Sequence, residues 1–325
     1  MDDCEKRLEN LYNRFNEPII PMGSIKKWLG RFAAEDRPAA LRLLECIEFH
    51  SQPKLIRETR ELHTKLKERL AADGFDAKTL AQVDFSREFT CKSGDVVSYI
   101  YRKSNLIPVA EFRSFDGLLR EAERHTDYFA YRALVILDDY IGTGSQFIFQ
   151  FVCRNDEALR ILGRYKKTYL ACYVLHENAL EKFRLLRERR FQEVLQIEEE
   201  QFPDVDFTPE RERLQQALSC LDWKNLELVY FVLDGPLLAA ADDDLSAAEK
   251  EAVRRLLEKF THEGYAGTSF LQGCHSFFYG APNSLPEILW PIFKRVEDFT
   301  VYTDSSEKLI AEHGTVVNYN IDDEP

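Results

Sequence analysis

Residues 134–146, Leu-Val-Ile-Leu-Asp-Asp-Tyr-Ile-Gly-Thr-Gly-Ser-Gln, constrain the fold of this chain more than any other stretch. Four apolar, mostly β-favouring residues run straight into two adjacent carboxylates, Asp138 and Asp139. A loop with two glycines and two hydroxyls follows, and then the apolar segment Phe147-Ile148-Phe149. That order predicts a buried parallel strand, a charged strand end, a phosphate-sized loop and a helix from about Ser145. A parallel strand presents ligand-binding groups at its carboxyl end, where the next helix offers free backbone N–H groups and the positive end of its dipole. Glycines allow close approach of the backbone to an anion, and Thr143 and Ser145 add hydroxyl donors. The acidic pair is unsuited to holding phosphate. It suits ribose hydroxyls, or the waters of a magnesium ion carried in by a diphosphate. Asp-Asp also ends strands in many α/β proteins, and Gly-Thr-Gly also forms plain tight turns. The loop is not a Walker A motif, because no Lys follows its second glycine, nor a Rossmann G-x-G-x-x-G, because Phe147 stands where the third glycine is needed.

The segment resembles the ribose-phosphate signature of type I phosphoribosyltransferases, in which four apolar residues precede two acids, three further residues, Thr-Gly, one residue and a closing Thr or Ser. Asp138 and Asp139 match the acids, and Thr143-Gly144 match the Thr-Gly. Two positions depart: Gly142 stands where many members carry an acidic residue thought to act as catalytic base, and Gln146 stands where the closing hydroxyl is expected. Outside the signature, Trp28-Leu29, Phe32 and residues 40–44 resemble the opening of a bacterial group called PRTase-CE proteins. Residues 277–290, Phe-Phe-Tyr-Gly-Ala-Pro-Asn-Ser-Leu-Pro-Glu-Ile-Leu-Trp, resemble its distal part. The resemblance spans about Ile25 to Arg295. It implies a phosphoribosyltransferase-like protein of the kind associated with conflict systems, antiphage defence operons among them.

Composition narrows the alternatives. A net charge of -13 argues against non-specific nucleic-acid binding, which needs a basic surface. The acidic runs 198–200, 242–244 and 322–324 read as solvated loops or ends. Seven cysteines (4, 46, 91, 153, 172, 220, 274) include no C-x-x-C pair, the pattern of reduced thiols. No apolar run reaches the ~20 residues of a membrane span, and the acidic start Met1-Asp2-Asp3-Cys4-Glu5 is the reverse of a signal peptide. The expected setting is cytoplasmic.

The pattern up to about Phe75 is helical: Ile25, Trp28, Leu29 and Phe32 form one stripe with Ser24 as cap, Pro38 and Pro53 open helices, and Leu62, Leu66 and Leu70 continue a stripe until Gly74. From Gly94 the period changes. Strands are expected at 96–101, 133–137, 168–175, 191–197, 226–233 and within 268–279, and helices at 115–125, from 145, 158–165 and 179–189. A capping box, Ser246-x-x-Glu249, opens a helix whose buried face is Val253, Leu256, Leu257 and Phe260. The alternation specifies an α/β fold with a mainly parallel twisted sheet of the type I phosphoribosyltransferase kind, an N-terminal helical layer and a C-terminal extension. No linker marks a sharp boundary. The regions are read as helical (1–90), phosphoribosyltransferase-like (91–300) and tail (301–325).

The expected site follows. Asp138 and Asp139 form the catalytic pair, with Asp139, nearer the loop, facing the ribose. Gly142, Thr143, Gly144, Ser145 and Gln146 hold the phosphate. Arg102 and Lys103, at the expected end of strand 96–101, contact a diphosphate, as the loop after the first core strand does in phosphoribosyltransferases, although exposed cations at a strand end are more often only solvated. His176 and Asn283 face the base, His176 being equally an ordinary helix-start residue and the loop around Asn283 equally an anchor for Trp290. Magnesium enters with a diphosphate, and no side chain ligates it directly. The expected ligand is phosphoribosyl diphosphate or a nucleotide. The expected protein partner is an operon product docking on the N-terminal helices. The alternatives are an inactive nucleotide sensor, which Gly142 and Gln146 support, and a structural partner protein.

Overall fold

A computed structural model describes residues 3–15, 20–76, 82–87, 94–124, 129–153, 155–202, 206–236, 246–260, 273–277, 289 and 292. Three helices come first, α1 (Asp3–Phe15), α2 (Met22–Leu29) and α3 (Arg37–Glu45), followed by the short strand β1 (Glu48–His50) and the long helix α4 (Gln52–Ala72). Then come β2 (Val83–Arg87), α5 (Gly94–Ser104), α6 (Phe115–Arg124), β3 (Ala133–Ile141) and a π-helical segment (Gln146–Cys153). The chain continues through α7 (Asp156–Leu162), β4 (Lys167–His176), α8 (Glu177–Arg187), α9 (Phe191–Gln201) and α10 (Thr208–Cys220). It ends in β5 (Leu226–Asp234), α11 (Ala247–Phe260) and β6 (His275–Phe277).

The main sheet has the order β2-β3-β4-β5, every pair parallel, and a second sheet pairs β1 with β6, also in parallel. Nearly every residue of β3 and all but the first of β4 are buried, as expected of a parallel strand covered on both faces. Side-chain alternation divides them. Val135, Leu137, Tyr169, Ala171 and Tyr173 face α4 and α5, where Leu62, Leu66, Leu70, Val97 and Tyr101 meet them. Leu134, Ile136, Leu170 and Cys172 face the other layer, built from α6 to α10 and the π-helical segment. A third cluster joins Ile25, Trp28 and Leu44 of the N-terminal helices to Val253, Leu256 and Leu257 of α11.

The α/β class and the parallel sheet stand as expected, with four departures. Residues 96–101 form part of α5, not a strand, because Val97, Ile100 and Tyr101 are buried while Val96 and Tyr99 are exposed, the i, i+3, i+4 spacing of a helix. Residues 191–197 likewise belong to helix α9, where Val194, Leu195 and Glu198 are buried at helical spacing. The first strand of the main sheet is β2, inside the region read as helical. Its alternate residues Asp84 and Ser86 are polar yet fully buried, Asp84 being held by Arg132 at 2.7 and 2.8 Å and by the Tyr165 hydroxyl at 3.0 Å. Finally, α2 begins at Met22 with Pro21 as its cap, so Ser24 lies inside the helix. The box at Ser246 and Glu249 forms reciprocally, as read. No helix among the described residues is long and apolar enough to cross a membrane.

Candidate functional site

Strand β3 does not stop at the acids but continues through Tyr140 to Ile141, so Asp138 and Asp139 sit inside its last turn of pleat. Asp138 pairs in register with Cys172, and Tyr140 with Val174. Each carboxylate folds onto the chain: Asp138 Oδ1 accepts from Asp139 N and Asp139 Oδ1 from Tyr140 N, both at 2.8 Å. Asp138 is the more open of the two, and Asp139 is 8% exposed. Burial pushes the neighbouring Cys172 thiol up, and both aspartates push it the same way.

The loop then turns sharply. Gly144 adopts φ +74°, a conformation that only glycine takes without cost, and the site of its missing Cβ lies 3.2 Å from Phe183 Cε2 and 3.5 Å from Ala179 Cβ of α8. The loop is thus pressed against α8. Ser145 N donates to Thr143 Oγ1 at 3.1 Å, and the two hydroxyl oxygens lie 2.6 Å apart. Thr143 is buried, Ser145 is partly open and Gln146 is exposed.

Beneath the loop lies a charged pair that the sequence did not reveal. Lys182 of α8 is fully buried and donates to Glu198 of α9, to Gln201 Oε1 at 2.8 Å and to Ser145 Oγ at 3.3 Å. Ser145 Oγ in turn lies 2.7 Å from Glu198 Oε1. Burial pushes the Lys182 ammonium below the usual lysine range, and Glu198 pulls it back. Glu198 is 1% exposed, so the first residue of the acidic run 198–200, read as solvated, is in the core. Its signal was the helical spacing from Phe191 through Val194 and Leu195 to Glu198.

A second polar group lies at the same edge of the sheet. The Tyr140 hydroxyl donates to Asp234 Oδ2, at the end of β5, at 2.7 Å, and Gly235 N donates to Asp234 Oδ1 at 2.9 Å. Cys274 Sγ is 3.0 Å from Asp234 Oδ1, and His275 Nε2 is 3.7 Å from it. His275 Nδ1 meets His50 Nε2 at 2.8 Å, and His50 Nδ1 meets Glu58 Oε2 at 2.7 Å. Burial pushes the His275 imidazole down to about 4, with Asp234 opposing. None of these seven residues was among the expected site residues.

The remaining expected residues fall as follows. Arg102 and Lys103 occupy the last turn of α5, not a strand end, with their cationic groups 5.9 and 5.7 Å from the Tyr99 ring centroid. His176 is buried and caps α8, its Nδ1 accepting from Asn178 N at 3.1 Å, so the helix-start reading holds for it. Asn283 lies outside the described residues. The described residues contain no group of three or more His, Cys, Asp or Glu side chains placed to hold a metal ion. A cavity lined by Tyr165, Thr168, Trp223 and Leu226 opens at the amino ends of β4 and β5, the edge opposite the loop.

The model of the family described as PRTase-CE matches residues 25–292, well over half of the chain, and the chain belongs to that family. It is a phosphoribosyltransferase-like protein of α/β fold. No curated protein and no solved structure matches it.

Proposed function

We propose that this PRTase-CE protein binds a ribose-phosphate ligand, phosphoribosyl diphosphate or a nucleotide, at the carboxyl edge of β3. The observation that carries the reading is the Gly144 turn, which follows the acid pair on a central parallel strand and leads directly into a helical segment. Backbone amides of 142–146 cradle the 5′-phosphate. The more open Asp138 takes the ribose hydroxyls and Asp139 braces the strand end, a division favoured by their exposures and opposite to the one expected from nearness to the loop. Magnesium fits as an ion carried by a diphosphate, whose waters one partly open carboxylate can receive.

Transfer from phosphoribosyl diphosphate passes through an oxocarbenium-like state that carboxylates and magnesium stabilise. Gly142, in the place of the acidic base, and Gln146, in the place of the closing hydroxyl, favour a second reading in which the ligand is bound and sensed without transfer. The antiphage or conflict setting, and an operon partner on the N-terminal helices, rest on the resemblance of the sequence. Calorimetry with phosphoribosyl diphosphate and with nucleoside monophosphates, each with magnesium, tests the binding. Thr143→Glu or, at the more open position, Ser145→Glu should abolish it, and affinity that survives both changes would put the pocket elsewhere. Diphosphate release on binding would select the enzyme over the sensor.

A further inference from the structure

Ser145 has one hydroxyl hydrogen and three neighbours competing for its oxygen: Thr143 Oγ1 at 2.6 Å, Glu198 Oε1 at 2.7 Å and the Lys182 ammonium at 3.3 Å. Lys182 can only donate to it, so the hydroxyl hydrogen points to Glu198 or to Thr143. A carboxylate is the stronger acceptor. With that bond made, the Thr143 hydroxyl turns to Ser145 in the same direction, and both loop hydroxyls aim at the buried acid. An anion in the loop must therefore take the Ser145 hydrogen away from Glu198. Glu198 can release it only because Lys182 also holds the carboxylate; its other oxygen, Oε2, is buried and has no hydrogen-bond partner among the described residues. Ala179, Lys182 and Phe183 lie at i, i+3 and i+4 on one face of α8, so the helix that packs on Gly144 also delivers the ammonium.

We propose that the Lys182–Glu198 pair is a positioning device for anion binding: Glu198 holds the Ser145 hydroxyl while the loop is empty, and Lys182 satisfies Glu198 when the hydroxyl turns to a phosphate oxygen. This rests on the phosphate reading of the loop and assigns two positioning residues to it.

Substitutions with effects of opposite sign test it. Affinity for magnesium phosphoribosyl diphosphate and for inorganic phosphate is measured by calorimetry beside each variant's melting temperature. Glu198→Gln keeps the shape and an acceptor for Lys182 but weakens the hold on Ser145. Binding should tighten by about tenfold, the factor that one charge-assisted hydrogen bond carries. Lys182→Met leaves the carboxylate to Ser145 alone and should weaken binding by about tenfold or more, with a fall in melting temperature. Lys182→Met with Glu198→Leu leaves no carboxylate to hold the Ser145 hydroxyl and should bring affinity back to wild type or above, in a fold that tolerates a buried ion pair replaced by apolar residues. In a Ser145→Ala background the Glu198→Gln change should have no effect on affinity. Unchanged affinity in Glu198→Gln overturns the proposal, as does a double variant that folds and binds as weakly as Lys182→Met. Wild-type protein that binds neither ligand, or Thr143→Glu and Ser145→Glu variants that both bind as well as wild type, would instead bring down the phosphate reading itself, and this inference with it.

Discussion

Gly144→Ala measures how tightly the signature loop is fixed by the fold. Two separate costs arise at this position. The φ of +74° is left-handed, and an L-residue there loses about 1–2 kcal/mol. The new methyl group would also lie 3.2 Å from Phe183 Cε2. Phe183 is 2% exposed and packs on Phe147 with centroids 5.8 Å apart, so the ring has little room to withdraw, and overpacking of this kind costs about 1–3 kcal/mol. The sum is about 2–5 kcal/mol. Gly74→Ala supplies the control, since Gly74 has φ +82° and, its chain neighbours apart, no atom of the described residues lies within 4 Å of the added carbon. It should lose only the backbone part. Urea denaturation of both variants, with unchanged m-values, gives the comparison. Phe183→Leu combined with Gly144→Ala should recover part of the difference. If Gly144→Ala and Gly74→Ala lose the same stability within about 0.5 kcal/mol, the close packing of the loop on α8 is refuted.

Three further outcomes are expected. Asp138→Asn should weaken phosphoribosyl diphosphate binding with little change in melting temperature, whereas Asp139→Asn should lower the melting temperature as well; wild-type affinity in both variants would leave the acids purely structural. Asp84→Ala should cost about 2–4 kcal/mol in urea denaturation, because it strips a half-buried Arg132 guanidinium of a bidentate partner and the Tyr165 hydroxyl of its acceptor, and a loss below about 1 kcal/mol would show that the pair is dispensable. Burial, with the Lys67 charge adding, holds the His63 imidazole at about 4 against 6.5 in its ordinary state. A depressed histidine means that the unfolded chain binds the proton more readily, so stability is full above pH 6.5 and falls as pH drops toward 4, by about 3 kcal/mol for this group. His275 adds a loss of the same sign over the same window. His63→Phe should flatten the pH dependence of unfolding between pH 6.5 and 4, and an unchanged slope would refute the assignment.

The sequence displayed what depends on local pattern. The run from Leu134 to Asp139 and the paired glycines announced a buried strand and a loop at its carboxyl end, because burial on both faces forces an unbroken apolar run. Strand β2 stayed hidden for the opposite reason. Asp84 and Ser86 occupy positions that only a distant Arg132 and Tyr165 make tolerable, and the sequence does not show which residues those will be. Residues 96–101 misled because β-branched and aromatic side chains dominate them, while tertiary burial of Val97, Ile100 and Tyr101 set a helical period. Glu198 read as part of a solvated acidic run, and nothing in the sequence singled out Lys182. Their burial is made by the packing of α8 and α9 under the loop, a contact between segments that each look amphipathic alone.

The polar group at Asp234 shows how the chain's outer segments hold the edge on which the loop stands. In its neutral form an imidazole carries one N–H, so in that form His50 and His275 have two hydrogens for three contacts: Glu58 at 2.7 Å, each other at 2.8 Å, and Asp234 at 3.7 Å. The two short contacts use both hydrogens, with His50 Nδ1 donating to Glu58 and His275 Nδ1 donating to His50. His275 Nε2 then faces Asp234 without a hydrogen, which agrees with the 3.7 Å separation and with the depressed basicity of that ring. Asp234 takes its hydrogen bonds elsewhere, from Tyr140 on the signature strand, from Gly235 and from Cys274 beside β6. One buried carboxylate therefore joins β3, β5 and the β1–β6 sheet. Cys274, whose carbonyl accepts from Glu48 N of β1 at 2.7 Å, is thereby fixed to the strand that carries Asp138 and Asp139. On the proposed reading, a loop that holds phosphate by its backbone needs a rigid strand end before it and a packed helix behind it, and Asp234 and α8 are placed to supply them.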